Sequence, residues 1–183
     1  IIVTVLAIAG LSQAINIIDG VNGLSSGYVV CVLLILSWLA NINGDILIFK
    51  LTLLYASAIF GFWLINVLFG IVFLGDGGAY FLGFLLASLL VMFSFRNDNH
   101  LSFSCAILVL YPVYETLRSM LRRVINKNFK IHQPDALHLH SLVNHYFIKK
   151  KISKLFYKKI LIFLVSFVPS ILTFVSVLTL QHN

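Results

Sequence analysis

The amino-acid sequence predicts an all-α, polytopic integral membrane protein that forms a single membrane domain over residues 1–183. Apolar residues make up 60% of the chain and charged residues only 10%, and the mean hydropathy is +1.01. Soluble domains carry charge on about a quarter of their residues, so this chain has too little polar surface to coat a water-soluble particle. The apolar residues also come in continuous blocks, and a helix that is apolar all round is buried in protein or lipid.

A helix needs about 20 mostly apolar residues to cross a bilayer, and the chain contains segments of this kind. The six predicted spans are residues 1–18, 26–43, 46–66, 79–95, 101–121 and 157–181. Pro112 and Pro169 lie inside the last two spans, where neighbouring helices can accommodate a kink. The apolar stretch Val67–Leu74 is too short to cross, and we interpret it as a re-entrant or interfacial segment.

Three polar segments interrupt the apolar chain, at residues 16–27, 73–84 and 134–143. Successive spans alternate in direction, so the connections after the first, third and fifth spans lie on one face of the membrane, and they carry these segments. Eleven of the thirteen Lys and Arg residues lie between Arg118 and Lys159, in or beside the third connection. The positive-inside rule places this face in the cytoplasm. We therefore expect a multi-pass membrane protein with its active site on the cytoplasmic face.

The basic run Lys149–Lys151 and the nearby Lys154 are typical of residues that set membrane orientation and contact anionic lipid headgroups. Direct contact with a substrate is the alternative. A nucleic-acid partner is not expected, because no aromatic-interleaved basic surface is evident outside the spans.

The first polar segment places Asn16, Asp19 and Asn22 at intervals of three residues where the first span ends. This spacing predicts two amides and a carboxylate on one helix face, directed at a single ligand. Charged groups near membrane depth are costly unless they are paired, which favours a functional role. The structural alternative is that Asp19-Gly20 and Asn22-Gly23 simply form tight turns.

The second polar segment places Asp76 within Gly75–Gly78, between two strongly apolar stretches and with no Lys or Arg nearby in the sequence. Such a carboxylate favours a hard divalent cation such as Mg²⁺ when phosphates are also present. The glycines allow backbone N–H groups to approach an anion closely, and Phe73 and Asn66 could stack on and hydrogen-bond to a base. The alternative is a simple interhelical turn.

The third polar segment contains His138 and His140, which point the same way if the segment is extended. Together with the upstream Arg122 and Arg123, they are interpreted as an anion clamp. Taken together, the three segments predict a site that binds a divalent metal, phosphates and a base. Phosphoryl transfer onto a lipid phosphate follows naturally from such a site in a membrane.

Two alternatives remain open for the histidines. They could form a zinc site with His132 or His145 as a third ligand, although no Cys supports it and the spacing is unremarkable. They could also be ordinary surface histidines.

The three segments together resemble signatures of the polyprenyl-phosphate N-acetylhexosamine-1-phosphate transferases, or glycosyltransferase family 4. The pattern N-x-x-D-G-x-x-G-L runs from Asn16 to Leu24, L-G-D-x-G from Leu74 to Gly78, and P-D-x-x-H-x-H from Pro134 to His140. Each motif is weak alone, whereas the three in this order are specific. The family includes phospho-N-acetylmuramoyl-pentapeptide transferase and bacterial undecaprenyl-phosphate GlcNAc-1-phosphate transferases.

The resemblance and the chemistry of the segments together assign roles to individual residues. Asp76 is expected to bind Mg²⁺, with Mn²⁺ as the other candidate ion. The residues expected to bind the nucleotide sugar are Asn16, Asp19, Asn22, Asn66 and Phe73. The residues expected to bind phosphate are Gly75, Gly77, Arg122, Arg123, His138 and His140. The expected catalytic residues are Asp19, Asp76, His138 and His140.

The sequence also departs from the family pattern. Ser141 stands where many members have a further His, Gln13 where some have Asn, and Asn22 where the peptidoglycan branch has Asp. The last difference argues against that branch. The family's tandem-aspartate loop normally precedes the first motif, and this chain begins after that point. We therefore expect the chain to be the C-terminal portion of a larger transferase domain, truncated at its N-terminus and inactive alone.

The resemblance implies an enzyme of the bacterial inner membrane that transfers HexNAc-1-phosphate from a UDP-HexNAc to undecaprenyl phosphate in the bilayer, with release of UMP. It would initiate a cell-envelope polysaccharide such as O-antigen or a teichoic-acid-type polymer, and the protein could act as a homodimer. A non-catalytic truncated remnant is the first alternative. A membrane transporter is the second, although polar groups clustered at one face do not suit it.

Overall fold

The computed structural model describes residues 1–97, 99–125 and 175, and these residues form helices and short connections without a β-strand. The helices of this part of the chain are α1 (Ile2–Ile18), α2 (Leu24–Ile42), α3 (Ile46–Phe69), α4 (Gly75–Arg96), α5 (Asn99–Leu108) and α6 (Leu110–Ile125). The predicted all-α membrane fold is confirmed. The predicted sixth span and the third polar segment lie outside the described residues.

The helices α2, α3 and α4 are long and apolar enough to cross a membrane, and α1 is a shorter apolar helix of 17 residues. Helix α3 continues to Phe69, so the first part of the predicted re-entrant segment belongs to this helix. Gly70, with φ of 65°, then ends α3 in a left-handed conformation. Residues 71–74 form a short connection whose apolar side chains are largely exposed.

The predicted fifth span is divided into α5 and α6, whereas the sequence predicted one kinked helix. Proline has no backbone N–H, so Pro112 cannot donate a helical hydrogen bond to the carbonyl of Leu108. The hydroxyl of Tyr28, on α2, donates to this carbonyl instead at 2.5 Å. A side chain from another helix therefore satisfies the carbonyl that Pro112 leaves without a helical partner.

Helices α1 and α4 pack against each other, as do α2 and α3. The two helices approach each other closely at Gly83, where a Cβ atom would lie 2.6 Å from the Cα of Ser12. The core contains the fully buried Ile15, Leu33 and Phe93. By contrast, α3 exposes a row of apolar side chains outward, as expected of a helix that faces lipid.

An ion pair joins two connections at the end of the helices away from residues 19–23. Asp45 caps the N-terminus of α3 by accepting from the backbone N–H of Ile48. Its carboxylate also accepts from Nε of Arg96 at 2.8 Å and from the side chain of Asn97 at 3.3 Å. The α2–α3 connection is thereby tied to the end of α4.

Replacing Gly83 by Ala should destabilise the protein by about 1–3 kcal/mol, because the added methyl group overpacks the α1–α4 contact. Gly61→Ala is the matched control: nothing lies within 4 Å of a Cβ atom there, and an exposed helical position gains about 0.5–1 kcal/mol from the change. Thermal unfolding of both variants in detergent measures the difference. Equal melting temperatures would contradict the close contact.

Candidate functional site

The first two polar segments meet at one end of the helices around a cavity of about 110 Å³. Its lining comes from the α1–α2 connection, the last turn of α3 and the α3–α4 connection. The lining residues are Asp19, Gly20, Val21, Asn22, Gly23, Ser26, Asn66, Phe73, Leu74 and Gly75. Five residues assigned to binding from the sequence alone therefore surround one small cavity.

Asp19 lies just after the end of α1 and is partly buried. Burial raises the pKa of its carboxyl group, a hydrogen bond donated by the Ser25 hydroxyl opposes this rise, and the charge of Asp76 adds to it. Asp19 and Asp76 are thus close enough to repel each other. A site built in this way favours a ligand that brings positive charge between the two carboxylates.

The prediction that Asn16, Asp19 and Asn22 share one helix face is wrong. Helix α1 ends at Ile18, and the chain then turns, with the N–H of Gly20 donating to the carbonyl of Ile18 at 2.8 Å. Asp19 and Asn22 reach the cavity because of this turn, whereas Asn16 remains in α1 and does not line the cavity.

Asp76 lies in the first turn of α4 and is exposed. The sequence placed Gly75–Gly78 in a loop, but these residues begin a helix. The start of α4 has no side-chain cap, so the N–H groups of its first turn are available to an anion. Gly75 adopts a φ of 66°, a left-handed conformation that favours glycine. No other group lies within 4 Å of a Cβ atom placed on Gly77. Among the described residues, Asp76 has no ion-pair partner.

Asn66 is 3% exposed and presents an unsatisfied acceptor at the cavity. Its Nδ2 donates to the carbonyl of Val72 at 2.5 Å, while its Oδ1 is buried without a hydrogen-bond partner among the described residues. A buried acceptor without a hydrogen-bond partner destabilises the protein. A ligand that donates an N–H to this oxygen would therefore bind more tightly. Phe73, which is 70% exposed, offers an aromatic ring beside it.

The sequence analysis missed Trp63, which holds the cavity wall in place. Its indole Nε1–H donates to the carbonyl of Gly23 at 3.0 Å, and the ring fills the space beside Gly27. A single Trp within an apolar span gives no sequence signal for this role. Ser25 was also missed, although a hydroxyl residue two positions after the D-G-x-N-G turn is a signal that could have indicated it.

Asp76 and Gly77 follow Gly75 in the first turn of α4 but do not themselves line the cavity. Other predicted residues are not brought to the cavity within the described part of the chain. Arg122 lies on α6 and does not line the cavity. Arg123 is in the same helix, but the position of its side chain lies outside the described residues, as do His138 and His140.

A divalent metal ion fits the residues that are described. No group of three or more His, Cys, Asp or Glu side chains with metal-binding geometry occurs among them. Mg²⁺ does not require such a group, because it keeps several waters and is commonly held by one or two carboxylates together with substrate phosphates. Two carboxylates meet that requirement: Asp19 follows α1 beside the cavity, and Asp76, in the first turn of α4, makes no ion pair among the described residues.

A second, apolar groove of about 630 Å³ lies between α1, α4, α5 and α6. Leu6 and Gly10 line it from α1, Ala87 and Val91 from α4, and Val113 from α6.

Comparison with known proteins identifies the family. The chain matches the family described as Glycosyl transferase family 4 over residues 1–94, a range that contains the first two motifs. The chain belongs to this family. The resemblance inferred from the motifs is therefore confirmed, and the protein is a multi-pass membrane protein related to sugar-phosphate transferases.

Three curated relatives illustrate the relationship. The "Probable undecaprenyl-phosphate N-acetylglucosaminyl 1-phosphate transferase" of Bacillus subtilis (strain 168) is 32% identical over 169 residues, covering 92% of this chain and 46% of the relative. The "Phospho-N-acetylmuramoyl-pentapeptide-transferase" of Streptococcus thermophilus (strain CNRZ 1066) is 36% identical over 80 residues, covering 44% and 24%. That of Streptococcus pneumoniae serotype 2 (strain D39 / NCTC 7466) is 30% identical over 115 residues, covering 63% and 33%.

The matched regions thus amount to half or less of the length of these relatives. The part of a complete enzyme to which this chain corresponds stays a prediction.

The two aspartates Asp19 and Asp45 should respond to neutralisation in opposite directions. The pKa of Asp19 is raised, chiefly by burial, so its ionisation costs stability at neutral pH, and that cost disappears below the ordinary value of 3.8. The pKa of Asp45 is lowered, chiefly by the hydrogen bond from Arg96, so its ionisation stabilises the fold, and this contribution is lost as the pH falls through the lowered pKa.

We expect Asp19→Asn to raise the melting temperature at pH 7 and Asp45→Asn to lower it. Both differences from the wild type should shrink as the pH is lowered toward 3.5. Thermal unfolding at several pH values in a non-ionic detergent makes the measurement. A drop in stability for Asp19→Asn at pH 7 would show that its carboxylate is favourably paired.

Proposed function

We propose that the full-length protein containing this sequence transfers HexNAc-1-phosphate from a UDP-HexNAc to undecaprenyl phosphate, releasing UMP, with Mg²⁺ or Mn²⁺ as cofactor. The observation that carries the proposal is the small cavity at which two motif segments meet, with Asp19 at its wall and Asp76 close by. Membership of glycosyl transferase family 4 supports the reaction class.

The nucleotide base would occupy the part of the cavity near Phe73 and Asn66. The exposed Phe73 ring can stack on a pyrimidine, and the unsatisfied Oδ1 of Asn66 can accept its imide N–H. Burying that acceptor against a donor removes a desolvation penalty of about 1–3 kcal/mol. Asn22, whose Nδ2 lies near Gly70, adds an amide to the same wall.

The diphosphate would lie between the two carboxylates and the start of α4. When bound, the metal ion supplies positive charge that neutralises the phosphate oxygens. Asp76, with Asp19, would hold the ion. Backbone N–H groups at Gly75 and Gly77 would bind phosphate oxygens at the positive end of the helix dipole.

The reaction is a phosphoryl transfer in which an oxygen of the acceptor phosphate attacks the sugar-bearing phosphorus of the donor. The bond to the bridging oxygen breaks, and UMP leaves with that oxygen. Most of the catalysis in such reactions comes from positioning and charge stabilisation. We assign His138, His140, Arg122 and Arg123 to the phosphate and sugar side of this site, on the basis of the third motif and its basic neighbours.

The acceptor would reach the site from the membrane through the apolar groove. The groove is lined almost entirely by apolar and small side chains of α1, α4, α5 and α6. A chain of isoprene units buries apolar surface there, at about 25 cal/mol per Å². The two carboxylates would then face the cytoplasmic leaflet, where the nucleotide sugar is available.

The donor sugar distinguishes two branches of the family. The names of the relatives describe an undecaprenyl-phosphate N-acetylglucosaminyl 1-phosphate transferase and a phospho-N-acetylmuramoyl-pentapeptide-transferase. Asn22, in place of an aspartate, favours a simple HexNAc donor and hence a polymer such as O-antigen or a teichoic-acid-type chain.

The direct test supplies the purified full-length protein with undecaprenyl phosphate, Mg²⁺ and either UDP-GlcNAc or UDP-N-acetylmuramoyl-pentapeptide. We expect release of UMP and a lipid-linked sugar diphosphate with UDP-GlcNAc. Turnover with the pentapeptide donor alone would place the protein in the peptidoglycan branch. No turnover with either donor would contradict the proposed reaction.

Asp76→Asn should reduce turnover of the full-length enzyme by at least about 10³-fold, because the amide removes the charge that holds the metal beside the diphosphate. The fold should persist, since Asp76 is exposed and makes no ion pair among the described residues. Asp45→Asn is the control, because it neutralises a carboxylate remote from the cavity. Turnover of Asp76→Asn within about tenfold of the wild type would remove Asp76 from the metal site.

The orientation of the protein can be tested at two connections. Asn43 is exposed between α2 and α3, and Val72 is exposed between α3 and α4, at opposite ends of α3. In intact cells, a membrane-impermeant thiol reagent should label Asn43→Cys and should label Val72→Cys only after the membrane is opened. The reverse pattern would place the cavity outside the cytoplasm.

A further inference from the structure

Tyr80 and Gln13 form a hydrogen-bonded pair between α4 and α1. The Tyr80 hydroxyl donates to Oε1 of Gln13 at 3.2 Å, and the Ser12 hydroxyl donates to the backbone carbonyl of Tyr80 at 2.8 Å. Less than one turn further along α4, Gly83 lies directly against the backbone of Ser12. Two side-chain hydrogen bonds and one backbone contact therefore fix α4 against α1 at this level.

The pair lies one helical turn from the residues that carry the proposed chemistry. Tyr80 follows Asp76 by one turn and shares its face of α4. Gln13 precedes Asn16 by about one turn of α1, and the Asn16 carbonyl accepts from the N–H of Asp19 at 3.3 Å. The pair thus joins the two elements that present the two carboxylates.

The same pair marks the boundary between the apolar groove and the polar site. Gly10, one turn before Gln13, lines the groove, and so does Ala87, two turns after Tyr80. Gln13 and Tyr80 are both exposed. Because the hydrogen bond joins side chains of two different helices, its consequence for the site is geometric.

We propose that Tyr80 and Gln13 are positioning residues whose hydrogen bond fixes the spacing between the first turn of α4 and the end of α1. The proposal rests on the proposed function, because that spacing matters only if Asp76 and Asp19 act on one diphosphate. The pair does not line the cavity that would hold the nucleotide. Its loss should therefore slow the chemical step without weakening binding of the nucleotide sugar.

The test is a double-mutant cycle in the full-length enzyme with Tyr80→Phe, Gln13→Met and the double variant. Tyr80→Phe removes only the hydroxyl, and Gln13→Met keeps the length of the side chain. We expect each single variant to lower kcat about tenfold, since small misplacements of catalytic groups have effects of this order or larger. The KM for the nucleotide sugar should change by less than about twofold. The double variant should be no slower than the slower single variant.

Tyr114→Phe is the matched control. Tyr114 is exposed on α6 and receives the same substitution, so its kcat should equal that of the wild type. An unchanged kcat for Tyr80→Phe, a KM that rises with either single variant, or multiplicative losses in the double variant would each overturn the positioning role.

A second measurement does not depend on turnover. Spin labels at Ala9→Cys and Phe81→Cys, both exposed on α1 and α4, report the distance distribution between the two helices. We expect this distribution to broaden when Tyr80→Phe is added and to stay narrow with Tyr114→Phe. An unbroadened distribution would contradict the proposal. If the wild type itself shows no turnover, the proposed function fails, and this measurement still decides whether the pair fixes the two helices.

Discussion

The close approach of α1 and α4 is the constraint on which the rest of this structure depends. Because residue 83 has no side chain, the backbones of the two helices touch near Ser12. One helix leads into the turn that carries Asp19, and the other begins with the turn that carries Asp76. The distance between the two carboxylates is therefore set by the contacts between these two helices rather than by the flexible connections. Packing of this kind is rigid, and rigid support is what a site for phosphoryl transfer needs.

Aspartates at the two ends of the helices lie in opposite electrostatic environments. Asp45 accepts hydrogen bonds from Arg96, Asn97 and a backbone N–H, so its charge is fully compensated. Asp19 accepts from one serine hydroxyl, and Asp76 has no ion pair among the described residues. The first arrangement stabilises the fold. The second leaves negative charge uncompensated, as is common where a protein gives up stability for function.

Much of the fold could be predicted from the sequence, because bilayer thickness fixes the length of a spanning helix and the apolar blocks have that length. Several residues of the cavity could also be predicted from the sequence. Polar side chains such as Asp19 and Asn66 are rare in so apolar a chain, and this rarity indicates a functional role. The predictions failed where a distant contact decides the local structure. The Leu108 carbonyl that Pro112 leaves unpaired accepts from a hydroxyl on α2, and Trp63 acts through the distant Gly23 carbonyl. Helix α4 begins at Gly75 rather than after Gly78, because glycine-rich sequence is compatible with both a loop and a first turn.

The hydrogen bond from Tyr28 to the Leu108 carbonyl has a consequence for how such chains can diverge. The carbonyl lacks a helical partner only because residue 112 is proline, so the tyrosine and the proline compensate for each other across 83 intervening positions. A lineage that lost the Tyr28 hydroxyl first would bury the Leu108 carbonyl without a hydrogen-bond partner. A lineage that lost Pro112 first could instead form the missing helical hydrogen bond and join α5 and α6 into one straighter helix. The two positions should therefore change together in descendants of this sequence, and the order of the changes should be constrained.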